Sequence, residues 1–215
     1  MKSIIAMQSW VILFAVTAKA EMIYIDFGDD TVGLSNYSAA GPAPGEWNDI
    51  TALGLTSGLI NAAGTTTSVN LSLVAGSASG SFGSGSSDND EILLSDNSLS
   101  SAGNPWSVAL DGLQNGMYDI YYYEPLHPLV RTGAFEINGV AAVPLDASID
   151  VLMQGVSWQV ATTTVSDGTL FLASTESDGF RGLAGLQVVA SVPEPTVPAM
   201  IFGLTGLFVA TRRRR

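Results

Sequence analysis

The residues best equipped for chemistry in this chain are an aromatic run, two acidic clusters and one histidine. In Tyr118-Asp119-Ile120-Tyr121-Tyr122-Tyr123, strand alternation places Tyr118, Ile120 and Tyr122 on one face and Asp119, Tyr121 and Tyr123 on the other. The first set suits a core. The second joins two aromatic rings to a carboxylate, a combination that stacks on a sugar ring and bonds its hydroxyls. Trp47 and Trp158 are the candidates to complete such a platform. The competing expectation is that both faces are covered and the tyrosines only pack, as aromatic strand residues usually do.

The acidic clusters are Asp88-Asn89-Asp90-Glu91 and Asp26 with Asp29 and Asp30. They offer hard oxygen ligands, the type calcium takes. Neither has the alternating acids around a glycine that the EF-hand loop requires. Calcium is therefore the one structural ion considered, beside the alternative of solvated loops, and no other cofactor is expected.

Catalysis finds less support. His127 is the single histidine and stands between Pro125 and Pro128 in an expected loop. One imidazole does not make a metal cluster. The serines lack a Gly-x-Ser-x-Gly elbow that would let His127 serve a nucleophile. Carboxylates about 5–10 Å apart would suit glycoside hydrolysis, but among this many acids such a pair carries no information. The chain is expected not to be an enzyme.

Charge narrows the partners. Residues 21–191 hold 19 of the 20 carboxylates and only two cations, Arg131 and Arg181, a net of −17. So acidic a surface repels phosphate backbones and excludes nucleic acid as a partner. The absence of cysteine excludes disulfides and thiolate metal sites.

The elements that must position these residues read as strands. Residues 22–27, 69–74, 106–110, 117–123, 134–137, 140–143, 158–165, 169–173 and 184–190 are apolar or alternating, and turn residues separate most of them. Asn138-Gly139 fits a type I′ hairpin, since both central residues need positive φ. Ser166-Asp167-Gly168 reads as a second hairpin turn. No long segment has a helical period. The expected fold is all-β, an antiparallel β-sandwich over residues 21–191. Residues 76–91 are expected to be a flexible Gly/Ser and acidic loop, because ten of the twelve residues from 76 to 87 are Gly or Ser.

Both ends read as targeting segments. Residues 1–20 combine Lys2, an apolar stretch and Ala18-Lys19-Ala20, the pattern of a signal helix cleaved after Ala20. Residues 196–211 form an uncharged run followed by Arg212, Arg213, Arg214 and Arg215. Sixteen helical residues reach about 24 Å at 1.5 Å each, slightly short of a bilayer core. The arginines hold the cytoplasmic side of this transmembrane helix and place the rest of the chain outside.

Val192-Pro193-Glu194-Pro195, the apolar run and the terminal arginines together resemble the PEP-CTERM sorting signal over residues 192–215. That resemblance implies Pro193, Glu194 and Pro195 as the recognition element of an exosortase, a membrane protease. It further implies export machinery as a partner, anchoring in an inner membrane facing the periplasm, and delivery to the cell surface or to an exopolysaccharide matrix. Between the ends, Leu113-x-x-Gly116-x-Tyr118-x-Ile120, Phe135-x-Ile137-Asn138-Gly139, Val165-x-Asp167-Gly168-x-Leu170 and Leu183-x-x-Leu186-x-Val188 resemble malectin-like and galactose-binding-like jelly-roll modules. The resemblance implies a jelly-roll-like sandwich with affinity for carbohydrate. The leading expectation is thus an exported surface or matrix protein that associates with polysaccharide. A structural envelope protein with no small ligand is the alternative, and a glycan-active hydrolase a distant third.

Overall fold

The computed structural model describes residues 21–28, 34–74, 77–78, 88–95, 99–100, 105–124, 130–131, 133–145, 151–175 and 180–191. In chain order the elements begin with β1 (Met22–Asp26), β2 (Asn48–Asp49), β3 (Gly54–Thr56), β4 (Asn70–Val74) and β5 (Ser77–Ala78). Then follow α1 (Asn89–Ser95), β6 (Leu99–Ser100), β7 (Ser107–Asp111), β8 (Gly116–Tyr123) and β9 (Val130–Arg131). The last are β10 (Phe135–Ile137), β11 (Val140–Ala141), β12 (Trp158–Val165), β13 (Thr169–Ser174), β14 (Phe180–Arg181) and β15 (Gly185–Ala190).

Two sheets carry the fold, so the chain is an all-β sandwich. The first has the order β12-β8-β15-β1-β2 and the second β11-β10-β13-β7-β4-β3. Nearly all their pairings are antiparallel, but β2 joins β1 in parallel. A separate ribbon, β9 with β14, is also parallel and puts Arg131 opposite Arg181 in register.

Strict alternation builds the core between the sheets. The first sheet sends in Ile23, Ile25, Tyr118, Ile120, Tyr122, Leu186 and Val188, and the second Leu71, Leu73, Val108, Leu110, Phe135, Ile137, Leu170 and Leu172. Phe135 anchors an aromatic cluster, its centroid 5.8 Å from that of Trp106 and 5.1 Å, edge-on, from that of Tyr122. The buried tyrosines keep their hydroxyls satisfied by reaching carbonyls: Tyr118 donates to Gln114 O at 2.8 Å and Tyr122 to Val143 O at 2.7 Å.

The Asn138-Gly139 turn has the expected form, with φ of 49° and 75° and β10 paired to β11. Ser166-Asp167-Gly168 does not make a hairpin. All of β12 pairs with β8 in the first sheet, while β13 pairs with β7 and β10 in the second. The segment is an arch that carries the chain across the sandwich. Val165 before it and Leu170 after it enter the same core from opposite walls. Turn residues signal only a reversal, and the same residues serve a turn within a sheet or between two.

Of the expected 76–91 loop, residues 77–78 and 88–91 are described, and the rest lies outside the described residues. Residues 77–78 pair with 99–100, and residues 88–91 start α1. Asp88 caps this helix: its Oδ1 accepts the Asp90 amide at 3.0 Å and its carbonyl accepts the Ile92 amide at 2.9 Å. A buried Ile92-Leu93-Leu94 run then pins the single helix among the described residues to the sheet. Seven residues are too few for a helical period to show in sequence. Among the described residues no helix is long and apolar enough to cross a membrane, and residues 1–20 and 192–215 lie outside them.

Candidate functional site

Tyr118, Ile120 and Tyr122 face the core as alternation requires, so Asp119, Tyr121 and Tyr123 face outward from the first sheet. Much of that outward face is covered. Residues 34–47 lie across it as a strap, together with α1, and enclose a second apolar cluster of Tyr24, Leu34, Trp47, Leu93, Tyr123 and Val189 among others. The strap is closed on itself by Tyr37 and Gly45, whose amides and carbonyls exchange bonds of 3.1 and 3.3 Å.

This cover divides the expected platform. Tyr123 is 0% exposed, and its hydroxyl donates to Gln187 Oε1 and accepts the Ala40 amide at 3.1 Å. Gln187 in turn donates to Ser38 O at 3.0 Å. Burial drives the Tyr123 hydroxyl well above the ordinary tyrosine range. Trp47 is 5% exposed, donates from Nε1 to Tyr37 O at 3.0 Å, and packs with Tyr24, Tyr37 and Tyr123 at centroid distances of 5.2 to 6.3 Å. Neither ring can meet a ligand in this arrangement, because the strap needs both for its own apolar floor. Asn48 beside Trp47 is equally committed, with side-chain bonds to Tyr24 O, Ile60 O and the Ile60 amide, all 2.8 Å.

The other members come together at the margin of this second cluster, against which the rings of Tyr121 and Trp158 pack. Tyr121 and Trp158 are both partly exposed, with centroids 6.0 Å apart and planes tilted by 34°. Trp158 stands opposite Tyr123 in the register of β12 and β8, and Val160 stands opposite Tyr121. One step further Asp119 lies opposite Thr162 and accepts its hydroxyl at 2.7 Å. Partial burial, and after it the Asp119 charge, raise the Tyr121 hydroxyl above its usual pKa. Val151 and Met153, both about half exposed, lie in the turn before β12, where the Met153 carbonyl accepts the Trp158 amide at 3.3 Å. Ser157 holds that turn, donating to Val151 O and accepting the Met153 amide at 2.8 Å each. Thr162, Val151 and Met153 could not have been chosen from sequence. Only the β12–β8 register brings Thr162 to Asp119, and only the turn brings Met153 to the Trp158 backbone.

Two of the acids weighed for calcium make structural contacts. Asp88 caps α1, and Asp90 accepts the Tyr37 hydroxyl and, at 3.4 Å, the Leu152 amide, tying helix, strap and turn together. Asp26 is buried at the end of β1, and Asp29 and Asp30 lie outside the described residues. Among the described residues no three His, Cys, Asp or Glu side chains gather as a metal site. His127, the signal residues Ala18 and Ala20, and the sorting residues Pro193, Glu194, Pro195 and Arg212 to Arg215 also lie outside the described residues.

No protein-family model matches the chain, and no curated protein matches it.

Proposed function

We propose that the chain is an exported, non-catalytic surface module that associates with carbohydrate through Tyr121 and Trp158. The observation that carries this reading is their adjacency. Two partly exposed aromatic rings 6.0 Å apart stand beside an Asp119–Thr162 pair that offers oxygens to hydroxyl groups. The platform also lies at the favourable end of the domain. The last described residue, Ser191, bonds Met117 O at 2.8 Å, at the opposite end of β8 from Tyr123 and Trp158. A membrane tail running on from Ser191 leaves the platform on the distal side.

The proposal includes the PEP-CTERM reading of residues 192–215, with an exosortase as processing partner, first placement at the inner membrane facing the periplasm, and later release to the surface or matrix. It also includes a jelly-roll winding of the sandwich. Supporting that winding, β1, β15, β8 and β12 lie side by side in one sheet and β7, β13, β10 and β11 in the other, the chain crossing between sheets from β7 to β8, β8 to β10, β11 to β12, β12 to β13 and β13 to β15. The β3–β4 hairpin extends the second sheet beyond β7.

A structural envelope protein is the second reading, favoured by the strap that already covers much of the outward face. A glycan array and pull-down on insoluble polysaccharides with the whole chain separate the two. The carbohydrate reading expects retention that Trp158→Ala and Tyr121→Ala each reduce. Retention by no glycan, or equal retention of the variants, favours the structural reading.

A further inference from the structure

The first sheet ends on β12, and that margin is open in its middle. The other margins of the two sheets, β2, β3 and β11, are only two or three residues long. β12 runs for eight residues and pairs with β8 at every one of them, so no bulge bends it away. It also lacks the charged residues and prolines that protect exposed edges in other sheets.

The register decides which backbone groups face outward. The Ser157 carbonyl accepts the Glu124 amide at 2.8 Å, one step beyond the Trp158–Tyr123 pair. Bonded residues alternate along an antiparallel ladder. Gln159, Ala161, Thr163 and Val165 therefore turn their backbone groups to β8, while Trp158, Val160, Thr162 and Thr164 turn theirs to the open side. The contacts on that side agree. The turn before β12 takes both groups of Trp158, through Met153 O at 3.3 Å and the Gly155 amide at 2.8 Å. Gln159 Oε1, itself held by Gln154 Nε2 at 3.3 Å, accepts the Val160 amide at 3.0 Å. Asn138 Nδ2 donates to Thr164 O at 3.1 Å. Among the described residues nothing bonds the Val160 carbonyl, the two backbone groups of Thr162 or the Thr164 amide, and Thr162 and Thr164 are exposed.

We propose that this margin pairs with β12 of a second copy of the chain, antiparallel about a two-fold axis through Thr162. Two donors and two acceptors remain on the margin, and this register satisfies them all. Each Thr162 amide donates to the Thr162 carbonyl of the other copy, and each Thr164 amide to the other's Val160 carbonyl. The groups already used, the Val160 amide and the Thr164 carbonyl, fall opposite one another and stay bonded within their own copies. Asn138 Nδ2 then faces Gln159 Oε1 of the other copy, donor to acceptor.

An unrelated strand fits less well. It brings a carbonyl opposite the Val160 amide and an amide opposite Thr164 O, both of which are taken, so its own groups lose water without gaining a partner. Charge points the same way. Residues 21–191 carry −17, yet β12 has no charge on either face, so two acidic copies meet where neither presents a carboxylate. Asp119, one strand in, is held by the Thr162 hydroxyl at 2.7 Å. The facing side chains, Thr162 with Thr162 and Thr164 with Val160, are all β-branched and suit a sheet. A strip one strand wide is smaller than a standard interface, so the pair is weak and forms as concentration rises.

Sedimentation velocity and amide hydrogen exchange on the full chain in a neutral detergent, taken up to millimolar concentration, test the pairing. A monomer–dimer equilibrium is expected, with exchange at Thr162 and Thr164 slowing on association and exchange at Val160 unchanged. Thr162→Pro removes only an outward amide and leaves the ladder to β8, and Thr162→Lys sets like charges opposite one another. Each should abolish association while its thermal melt shows a folded domain. The chain has no cysteine, so single cysteines report the register whatever these variants do. With copper–phenanthroline as oxidant, Thr162→Cys should link to itself, because bonded pairs stand about 5.5 Å apart at Cα, within the span of about 4.4–6.8 Å that a disulfide bridges. Val160→Cys should link to Thr164→Cys in a mixture and not to itself, since like positions are offset by about 13 Å along the strands. A Thr162→Cys chain that stays unlinked overturns the proposal, as does Val160→Cys that links to itself as readily as to Thr164→Cys. A chain monomeric at millimolar concentration overturns it too. These measurements read association alone, so their failure is distinct from failure of the glycan reading.

Discussion

Asn138 reaches across the open side of the sandwich to Thr164: its side-chain amide donates to the Thr164 carbonyl at 3.1 Å while its Oδ1 accepts the Phe171 amide at 2.8 Å. One residue thus holds a type I′ turn in the second sheet and closes the edge of the first. Replacing it separates the two roles. Asn138→Gly keeps the left-handed backbone and loses the amide, at an expected cost of about 1–2 kcal/mol for the lost bonds. Asn138→Ala should cost about 1 kcal/mol more, because φ of 49° disfavours alanine. Urea denaturation of both variants checks this. Equal stability of Asn138→Gly and the parent would mean the cross-sheet bonds contribute nothing.

Tyr121 and Tyr123 share a strand face and should answer differently to truncation. Tyr123→Ala removes a fully buried ring and should cost about 3–5 kcal/mol. Tyr123→Phe leaves Gln187 and the Ala40 amide without their hydroxyl partner, at an expected cost of about 1–3 kcal/mol. Tyr121→Ala should cost well below the buried-ring value and show its effect in glycan retention. Comparable destabilisation by Tyr121→Ala and Tyr123→Ala would make Tyr121 a packing residue.

The contrast marks where sequence stopped being informative. Alternation in residues 117–123 assigned the inward face correctly, because period two is a property of the strand itself. It could not show what covered the other face. The strap contains Gly41, Pro42, Pro44 and Gly45, residues of an irregular segment, and docks through contacts such as Gln187 to Ser38 that are 149 residues apart. The Asn138-Gly139 turn was legible because its conformation demands those residue types. The 166–168 arch was misread because pairing partners, unlike turn residues, are not local. The contacts of Asp88 with a helix start and of Asp90 with Tyr37 across the fold were hidden for the same reason.

The helix that replaces the expected acidic loop gives a third test. Asp88→Ala should destabilise by about 1 kcal/mol through loss of the cap, and the loss should be the same with calcium or with chelator. A parent protein whose melting temperature rises with calcium, a rise abolished by Asp88→Ala, would restore the metal reading of that residue.

Gly185 tests the closeness of α1 to the sheet. A Cβ at this position would meet Ile25 O and Leu93 Cδ1, each at 2.8 Å, with Trp47 Cζ3 at 3.6 Å. The backbone oxygen cannot move without disturbing β1, so Gly185→Ala should cost about 1–3 kcal/mol by overpacking. It should also loosen the strap, seen as faster amide exchange in residues 34–47 and in α1. Unchanged exchange there would mean that the helix and strap do not depend on this contact.

Alkaline pH should unfold the domain through its buried tyrosines. Burial raises the hydroxyls of Tyr37, Tyr122 and Tyr123, Tyr122 to about 12. In the unfolded chain each ionises near 10. Between these values the folded state keeps protons that the unfolded state has lost. The contribution is therefore complete below pH about 10 and declines as pH rises through the folded values. Each such tyrosine lowers stability by about 1.4 kcal/mol per pH unit in that window. Urea midpoints should be flat from neutral pH to about 10 and then fall steeply, with tyrosinate absorbance of these rings developing only as the protein unfolds. Tyr122→Phe should lower stability at neutral pH, because Val143 O loses its donor, and should make the alkaline decline shallower. If all six tyrosines ionise near pH 10 without loss of structure, the rings are accessible to water, and the covered outward face of the first sheet is wrong along with them.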